Sequence, residues 1–154
     1  MRNKIYAILS ILLFLSSCAD NREKRKEIVK DKIVILNENL NEWNALTEEI
    51  LNDKYVNSQL GKFINPSNLN KKLREKLIDK EISTISVQNN ERCKEVEYIT
   101  NWTNYPVGTL YLTWTNCDST QIENGYYLDN FNTNFIEVWG AGNNWLIWID
   151  SDFM

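Results

Sequence analysis

The stretch that decides the fold is CKEVEYITNWTNYPVGTLYLTWTNC, which runs from Cys93 to Cys117. Apolar and polar residues alternate on both sides of the turn-forming segment NYPVG, and this pattern predicts a β-hairpin. Centring the hairpin on Tyr105 places Tyr98 opposite Leu112 and keeps the apolar residues of both strands on one face. The same register places Cys93 opposite Cys117, and neither set of residues is needed to position the other. We therefore expect a disulfide that closes the base of the hairpin.

Before this hairpin, residues 23–56 predict one long helix, because apolar residues recur at steps of three and four and so share one stripe. The stripe consists of Val29, Ile33, Leu36, Leu40, Trp43, Leu46 and Ile50. Two partners fit it, a sheet of the same chain or the same helix of a second copy in a coiled-coil dimer. A helix of this length exceeds the width of a small domain, so its charged first turns are expected to project as a stalk.

A second, shorter helix is predicted after Pro66, with Ser67 or Asn68 as its cap. Its apolar stripe consists of Leu69, Leu73 and Leu77. The period then changes to two, and Ile85 and Val87 indicate a strand that ends before the Asn-Asn turn signal.

Residues 135–139 and 145–149 predict a second hairpin around the turn at residues 140–143. Both faces of this hairpin are apolar, which is typical of strands that lie centrally or are covered on both sides. Residues 118–134 are expected to form a long connection. The order of elements predicts an α+β fold, with a long N-terminal helix and a shorter helix packed on a four- to five-stranded antiparallel sheet.

The first residues of the chain, MRNKIYAILSILLFLSSCAD, have the organisation of an export signal. Arg2 and Lys4 precede an apolar run that is too short to span a bilayer. The run ends in LSSC, which resembles the lipobox of bacterial lipoproteins. That resemblance implies that residues 1–17 are a signal peptide and that Cys18 becomes a lipidated N-terminus in the bacterial cell envelope. Two or three acyl chains would hold the protein firmly on a membrane.

The remaining chain divides at a change in charge. Residues 18–32 are expected to be a basic, membrane-proximal tether or the start of the helix, and residues 33–154 a single α+β domain. With Cys18 lipidated, Cys93 and Cys117 form an even pair in a compartment that permits disulfides.

Charge is distributed unevenly along the sequence. Removal of the signal peptide would remove Arg2 and Lys4. The rest of the chain would then have 15 basic and 21 acidic residues, a net charge of −6. No Lys, Arg or His follows Lys94, whereas eight acidic residues do. Nucleic-acid binding is therefore excluded for this half of the chain, and a cationic protein or ligand is the expected partner.

The residue types argue against an enzyme. The chain has no histidine, so nucleophile systems and zinc sites that depend on histidine are absent. No cofactor or metal is expected. Glu95 and Glu97 lie on one strand face, as do Asp150 and Asp152, and a carboxylate-dependent hydrolase is the remaining catalytic alternative.

Aromatic residues in the acidic half suggest a binding surface instead. Trp114, Trp139 and Trp148 are expected to fill the core between the helix and the sheet. Trp102, Tyr105 and Tyr111 are candidate binding residues, together with Glu95 and Glu97, because aromatic rings beside carboxylates bind cations, sugars and protein partners.

The strand half also resembles a group of small bacterial lipoproteins of unknown function, through the segments GTLYL (108–112) and NWLIW (144–148). That resemblance implies a fold and no activity. The leading hypothesis is a non-catalytic envelope lipoprotein that binds a partner through an acidic, aromatic sheet. An immunity or inhibitor protein against a basic toxin or hydrolase is one alternative, and a carbohydrate-binding module is another.

Overall fold

The computed structural model describes residues 23–90, 92–103, 108–117, 126–131 and 134–150, with only the backbone for residues 126–131, 134 and 135. Cys18, Tyr105 and Asp152 lie outside the described residues. Lipidation and a role for Tyr105 therefore remain predictions.

The described chain forms an α+β fold, as predicted, but its described residues form a seven-stranded sheet in place of the four to five strands expected. Its helices are α1 (23–38), α2 (Leu40–Asn52), α3 (Lys54–Asn57) and α4 (Lys71–Asp79), with a 3₁₀ turn at Pro66–Asn68. Its strands are β1 (Phe63–Ile64), β2 (Ile82–Asn89), β3 (Lys94–Thr100), β4 (Thr109–Thr115), β5 (Tyr126–Phe131), β6 (Asn134–Gly142) and β7 (Trp145–Asp150). The strands form one antiparallel sheet in the order β1-β2-β3-β4-β7-β6-β5.

The predicted register of the first hairpin is confirmed. Tyr98 pairs with Leu112 across β3 and β4, and Val96 pairs with Trp114. Cys93 and Cys117 form a disulfide at the base of the hairpin. Side-chain alternation and the cysteines therefore specify the same pairing.

The second hairpin is also present, but its turn lies further along the chain than predicted. β6 continues to Gly142 through a bulge, and the turn consists of Asn143 and Asn144, with φ values of 52° and 68°. Asparagine tolerates this left-handed conformation better than other non-glycine residues, and it is favoured in two-residue hairpin turns.

Residues 118–134 were expected to contain no strand, and this expectation is wrong. β5 (Tyr126–Phe131) lies within them and pairs with β6 at the edge of the sheet. The segment YYLDNF lacks strict alternation of apolar and polar residues and contains Asp and Asn, which are rare in strands. Backbone pairing with β6 therefore decides its conformation.

The long N-terminal helix is interrupted at Asn39. The Asn39 N–H bonds to the Leu36 carbonyl three residues back, and the Asn39 side-chain amide donates to the Ile35 carbonyl at 2.9 Å. An asparagine side chain that bonds to the backbone in this way competes with the helical hydrogen-bond ladder. Asn39 thus separates α1 from α2, and Asp53, which is extended, separates α2 from α3, in place of the single helix predicted over residues 23–56.

The second predicted helix, α4, is capped at a different residue. The Asn70 side chain accepts a hydrogen bond from the Leu73 N–H at 3.0 Å, so Asn70 is the cap in place of Ser67 or Asn68. Residues 66–68 form the separate 3₁₀ turn instead. Leu73 and Leu77 are buried as predicted.

The apolar stripe of α1 and α2 packs on the sheet of the same chain. Five of its residues are buried (Val29, Leu36, Trp43, Leu46 and Ile50), and the other two pack partly buried against the core. Trp43 contacts Tyr98 and Trp145 edge-on, with ring centroids 5.6 and 5.8 Å apart. A coiled coil through this stripe would require these same side chains to be exposed.

The first turns of α1 also pack on the domain. The Arg25 guanidinium donates two hydrogen bonds to Glu137 on β6, at 3.0 and 3.3 Å. Glu137 is 2% exposed and Arg25 11%. Contact with the sheet therefore begins before residue 33, the predicted start of the domain, and this part of the helix is not a projecting stalk.

Candidate functional site

The sheet has two faces that carry different residues. The inner face packs on the helices and includes Tyr98, Leu112 and Ile147, all fully buried. The opposite face, which we call the outer face, carries the residues that alternate with these. One row of cross-strand pairs on it comprises Thr84, Ile99, Tyr111, Trp148 and Val138. The adjacent row comprises Phe63, Ser86, Glu97, Thr113 and Leu146.

Glu95 and Glu97 lie side by side on the outer face of β3, as the sequence predicts. Glu97 is partly buried, and burial together with the charge of Glu95 raises the pKa of Glu97 to about 7. Burial also raises the pKa of Glu95, although a hydrogen bond from Thr115 opposes this. Within the described part of the chain, no salt bridge joins either carboxylate to a basic side chain. Both carboxylates are therefore partly buried and have no basic partner among the described residues.

An aromatic pair lies beside these carboxylates. The rings of Tyr111 and Trp148 are stacked, with centroids 3.7 Å apart and planes 5° from parallel. The indole N–H of Trp148 donates to the Thr113 hydroxyl at 3.0 Å, which fixes the ring along the sheet. Burial raises the pKa of Tyr111, and the charges of Asp150 and Glu97 raise it further. The carboxylates are thus close enough to the aromatic pair to influence the ionisation of Tyr111.

Apolar side chains continue the outer face toward the β1 edge. Phe63 is 72% exposed and pairs with Ser86, whose other neighbour across the sheet is Glu97. Ile99 pairs with Tyr111 and is partly buried. A partner that covers this surface would therefore bury aromatic and aliphatic area around two acidic groups. We call Glu95, Glu97, Tyr111, Trp148 and Phe63 the acidic aromatic surface.

Two of the tryptophans are not where the sequence reasoning expected them. Trp102, a candidate binding residue, packs against the core: its indole N–H donates to the Lys80 carbonyl at 3.1 Å, and its ring meets Trp43 edge-on. The Lys32 ammonium group lies over the Trp102 ring, 4.6 Å from the ring centroid. Trp148, expected in the core, lies on the outer face. Both faces of β7 are apolar, so alternation alone does not show which one the helices cover.

The remaining aromatic and acidic residues named from the sequence lie partly in the core and partly on the outer face. Trp114 and Trp139 pack partly buried against the core, as predicted. Asp150 lies on the outer face opposite Thr109. Gly108, at the start of β4, has a φ of 102°, and a Cβ there would clash with the Asp150 carbonyl. Glycine is thus required where the end of β7 approaches the first hairpin.

The described residues show no group of three or more His, Cys, Asp or Glu side chains able to hold a metal ion. Among the same residues, no helix is long and apolar enough to cross a membrane.

Comparison with known proteins adds no assignment. No protein-family model, no curated protein and no solved structure matches this chain.

Proposed function

We propose that this protein is a non-catalytic binding module of the bacterial cell envelope that captures an arginine-containing segment of a basic protein on its acidic aromatic surface. The observation that carries the proposal is the position of Glu97. Its carboxyl group is partly buried beside Glu95 and has a pKa near 7, and no described basic residue forms a salt bridge with it. A cation from a partner would supply the charge that this site lacks.

The stacked rings favour arginine over lysine as that cation. A guanidinium is planar, stacks on aromatic faces and pairs with a carboxylate through two parallel hydrogen bonds. Tyr111 and Trp148 offer the aromatic face, and Glu97 the carboxylate, on adjacent rows of the sheet. An ammonium group can use the charge but cannot make the paired hydrogen bonds.

A binding role is favoured over a carboxylate-dependent hydrolase by the shape of the site. A carboxyl group with a pKa near 7 would suit a general acid. Catalysis by such a group also needs a cavity that positions a substrate and excludes water. Glu95 and Glu97 instead lie on a sheet face, and neither lines the groove that the described residues form elsewhere.

One narrower form of this proposal is an immunity or inhibitor protein. A basic toxin or hydrolase carries the arginine residues that this surface would accept, and a lipid anchor at Cys18 would hold the inhibitor where such a protein meets the membrane. A glycan that stacks on Tyr111 and Trp148 is the alternative ligand class for the same surface.

The proposal is tested by titrating the full chain with hexa-arginine, hexa-lysine and hexa-glutamate peptides and following tryptophan fluorescence at two salt concentrations. Hexa-arginine should bind more tightly than hexa-lysine, and hexa-glutamate should not bind. The affinity for hexa-arginine should fall as salt rises, because exposed parts of the ion pairs are screened.

Matched variants locate the site. Glu97→Gln should weaken hexa-arginine binding by roughly 10-fold, the effect of losing one charge-assisted contact of about 1.4 kcal/mol. Tyr111→Leu should also weaken it, because the variant loses the cation–π contact with the ring. Glu38→Gln removes the same charge from an exposed position on α1 and should leave binding unchanged. Equal effects of Glu97→Gln and Glu38→Gln would show that only net charge matters and would contradict the proposed surface.

A further inference from the structure

A groove on the helix side of the sheet is separate from the acidic aromatic surface. It lies between the second half of α2 and the end of the sheet that carries the disulfide, and its volume is about 510 Å³. This is within the range of roughly 300–1,000 Å³ typical of small-molecule sites. Its polar and aromatic wall includes Asn44, Asn52, Trp114, Asn116, Asn143 and Asn144.

Three of these asparagines have one half of the amide fixed by the protein. The Asn44 carbonyl oxygen accepts from the Trp145 indole N–H at 3.0 Å, and the Asn116 carbonyl oxygen accepts from the Lys94 backbone N–H at 2.6 Å. Asn52 instead donates its amide N–H to the Glu48 carbonyl at 2.8 Å. Each of these hydrogen bonds identifies which end of the amide group is the oxygen and which is the nitrogen. The hydrogen-bonding capacity of the other end of each amide is therefore known as well. Asn44 and Asn116 retain amide donors, and Asn52 retains an acceptor.

The groove is close to neutral. Glu48 and Lys94 both line it and carry opposite charges, and its other polar groups are mostly uncharged amides. Trp114 supplies one aromatic wall. A ligand that fits must therefore present many hydrogen-bonding groups and some apolar surface without net charge.

From this arrangement we propose that the groove binds a neutral, hydroxyl-rich ligand of the saccharide class. Hydroxyl groups donate and accept, so they can pair with the fixed donors of Asn44 and Asn116 and the acceptor of Asn52. The C–H face of a sugar ring packs on Trp114. This site is independent of the acidic aromatic surface and does not share residues with it.

The disulfide holds one wall of the groove. Cys93 precedes Lys94 and Cys117 follows Asn116, so the bond joins the two chain segments that carry these groove residues. The Asn116 N–H also bonds to the Lys94 carbonyl, which completes a reciprocal pair. Reduction of the disulfide should therefore weaken ligand binding as well as stability, since preorganised groups bind at lower entropic cost.

The test is calorimetric titration of the full chain, kept in a detergent without a sugar headgroup, with maltose, cellobiose and N,N′-diacetylchitobiose. At least one of these neutral disaccharides should bind saturably and should change tryptophan emission. An absence of saturable binding by all three would overturn the proposal.

Variants distinguish the groove from the outer face. Asn143→Gly and Asn144→Gly remove side-chain amides while keeping the positive φ that the turn requires, and Trp114→Phe removes the larger ring. Each should weaken binding by threefold or more without unfolding the protein, as judged by circular dichroism. Glu97→Gln should leave disaccharide binding unchanged. A ligand lost on Glu97→Gln and unaffected by the groove variants would instead lie on the outer face, and the proposed groove would be wrong.

Discussion

At the scale of single residues, the surroundings of Glu97 change the acidity of its carboxyl group strongly. Burial on the outer face and the charge of Glu95 raise its pKa from 4.5 to about 7. Between about pH 4.5 and 7, this carboxyl group is largely protonated in the folded protein and largely ionised in the unfolded chain. This difference in pKa makes the free energy of unfolding depend on pH.

The direction of this dependence follows from the raised pKa. Below about pH 4.5 the carboxyl group is protonated in both states, and its contribution to stability is fully present. As the pH rises through 7, the folded state must ionise a partly buried group, and that contribution is lost. We expect Glu97→Gln to melt at a higher temperature than the wild type at pH 8, with the difference shrinking toward pH 5. Thermal unfolding at both pH values measures this.

Glu38→Gln provides the control for simple removal of one acidic residue, because Glu38 is exposed on α1. A pH-independent difference between Glu97→Gln and the wild type would show that the raised pKa of Glu97 does not contribute to stability.

Sequence reasoning at this scale succeeds where spacing decides the outcome. Glu95 and Glu97 are two positions apart on a strand, so they had to share a face, and Tyr111 follows from the hairpin register. Trp102 and Trp148 could not be placed in this way. Trp102 lies two residues beyond the end of β3 at Thr100, outside the paired strand. The position of Trp148 depends on which face of β7 the helices cover.

At the scale of elements, the β3–β4 hairpin is the feature that the sequence determines most fully. Turn residues, alternation and two cysteines all specify one register, and the structure has that register. The same reasoning missed β5, whose sequence does not alternate, and the break at Asn39, where a side chain replaces one backbone hydrogen bond. β5 depends on pairing with another strand, β6, whereas the break at Asn39 depends on a local side-chain hydrogen bond that helical periodicity does not reveal.

Loss of the disulfide should destabilise the domain measurably. The bond closes a loop of about 25 residues, for which the chain-entropy relation gives roughly 3.5 kcal/mol. We expect reduction, or the paired change Cys93→Ala and Cys117→Ala, to lower the melting temperature by an amount on the order of 10 °C. Differential scanning calorimetry with and without reductant measures the effect.

Reductant should not change the melting temperature of the double alanine variant, which controls for effects on other groups. Mass spectrometry of the oxidised wild type should detect no free thiol at Cys93 or Cys117. Two free thiols in the native protein would contradict the bond and its contribution to stability.

At the scale of the whole molecule, the two faces of the sheet differ in what covers them. The helices bury the inner face of the sheet, while the outer face carries acidic and aromatic residues, all but Phe63 from the half of the chain that lacks basic ones. Burial of the stripe of α1 and α2 within the chain argues against a coiled-coil dimer through that stripe. The α+β class followed from the order of helices and strands. The covered face did not, since it required knowing how the helices cross the sheet.

Membrane attachment is a prediction at this scale too. In a bacterial host the full chain should sediment with membranes, and Cys18→Ser should appear in the soluble fraction because the acyl chains are the expected anchor. The variant should keep the Cys93–Cys117 disulfide and the melting temperature of the domain. Membrane retention of Cys18→Ser would contradict lipidation at this residue.

The ion pair between Arg25 and Glu137 sets a limit on how far the domain can move from such an anchor. It joins the first turns of α1 to the sheet, and only seven residue steps separate Cys18 from Arg25. A fully extended chain covers at most about 3.5 Å per residue, so the leash would be no longer than about 25 Å. If Cys18 is lipidated, this short connecting segment would keep the domain in a thin layer next to the bilayer. It would meet partners confined to that layer at a high effective concentration and would not reach those held farther away.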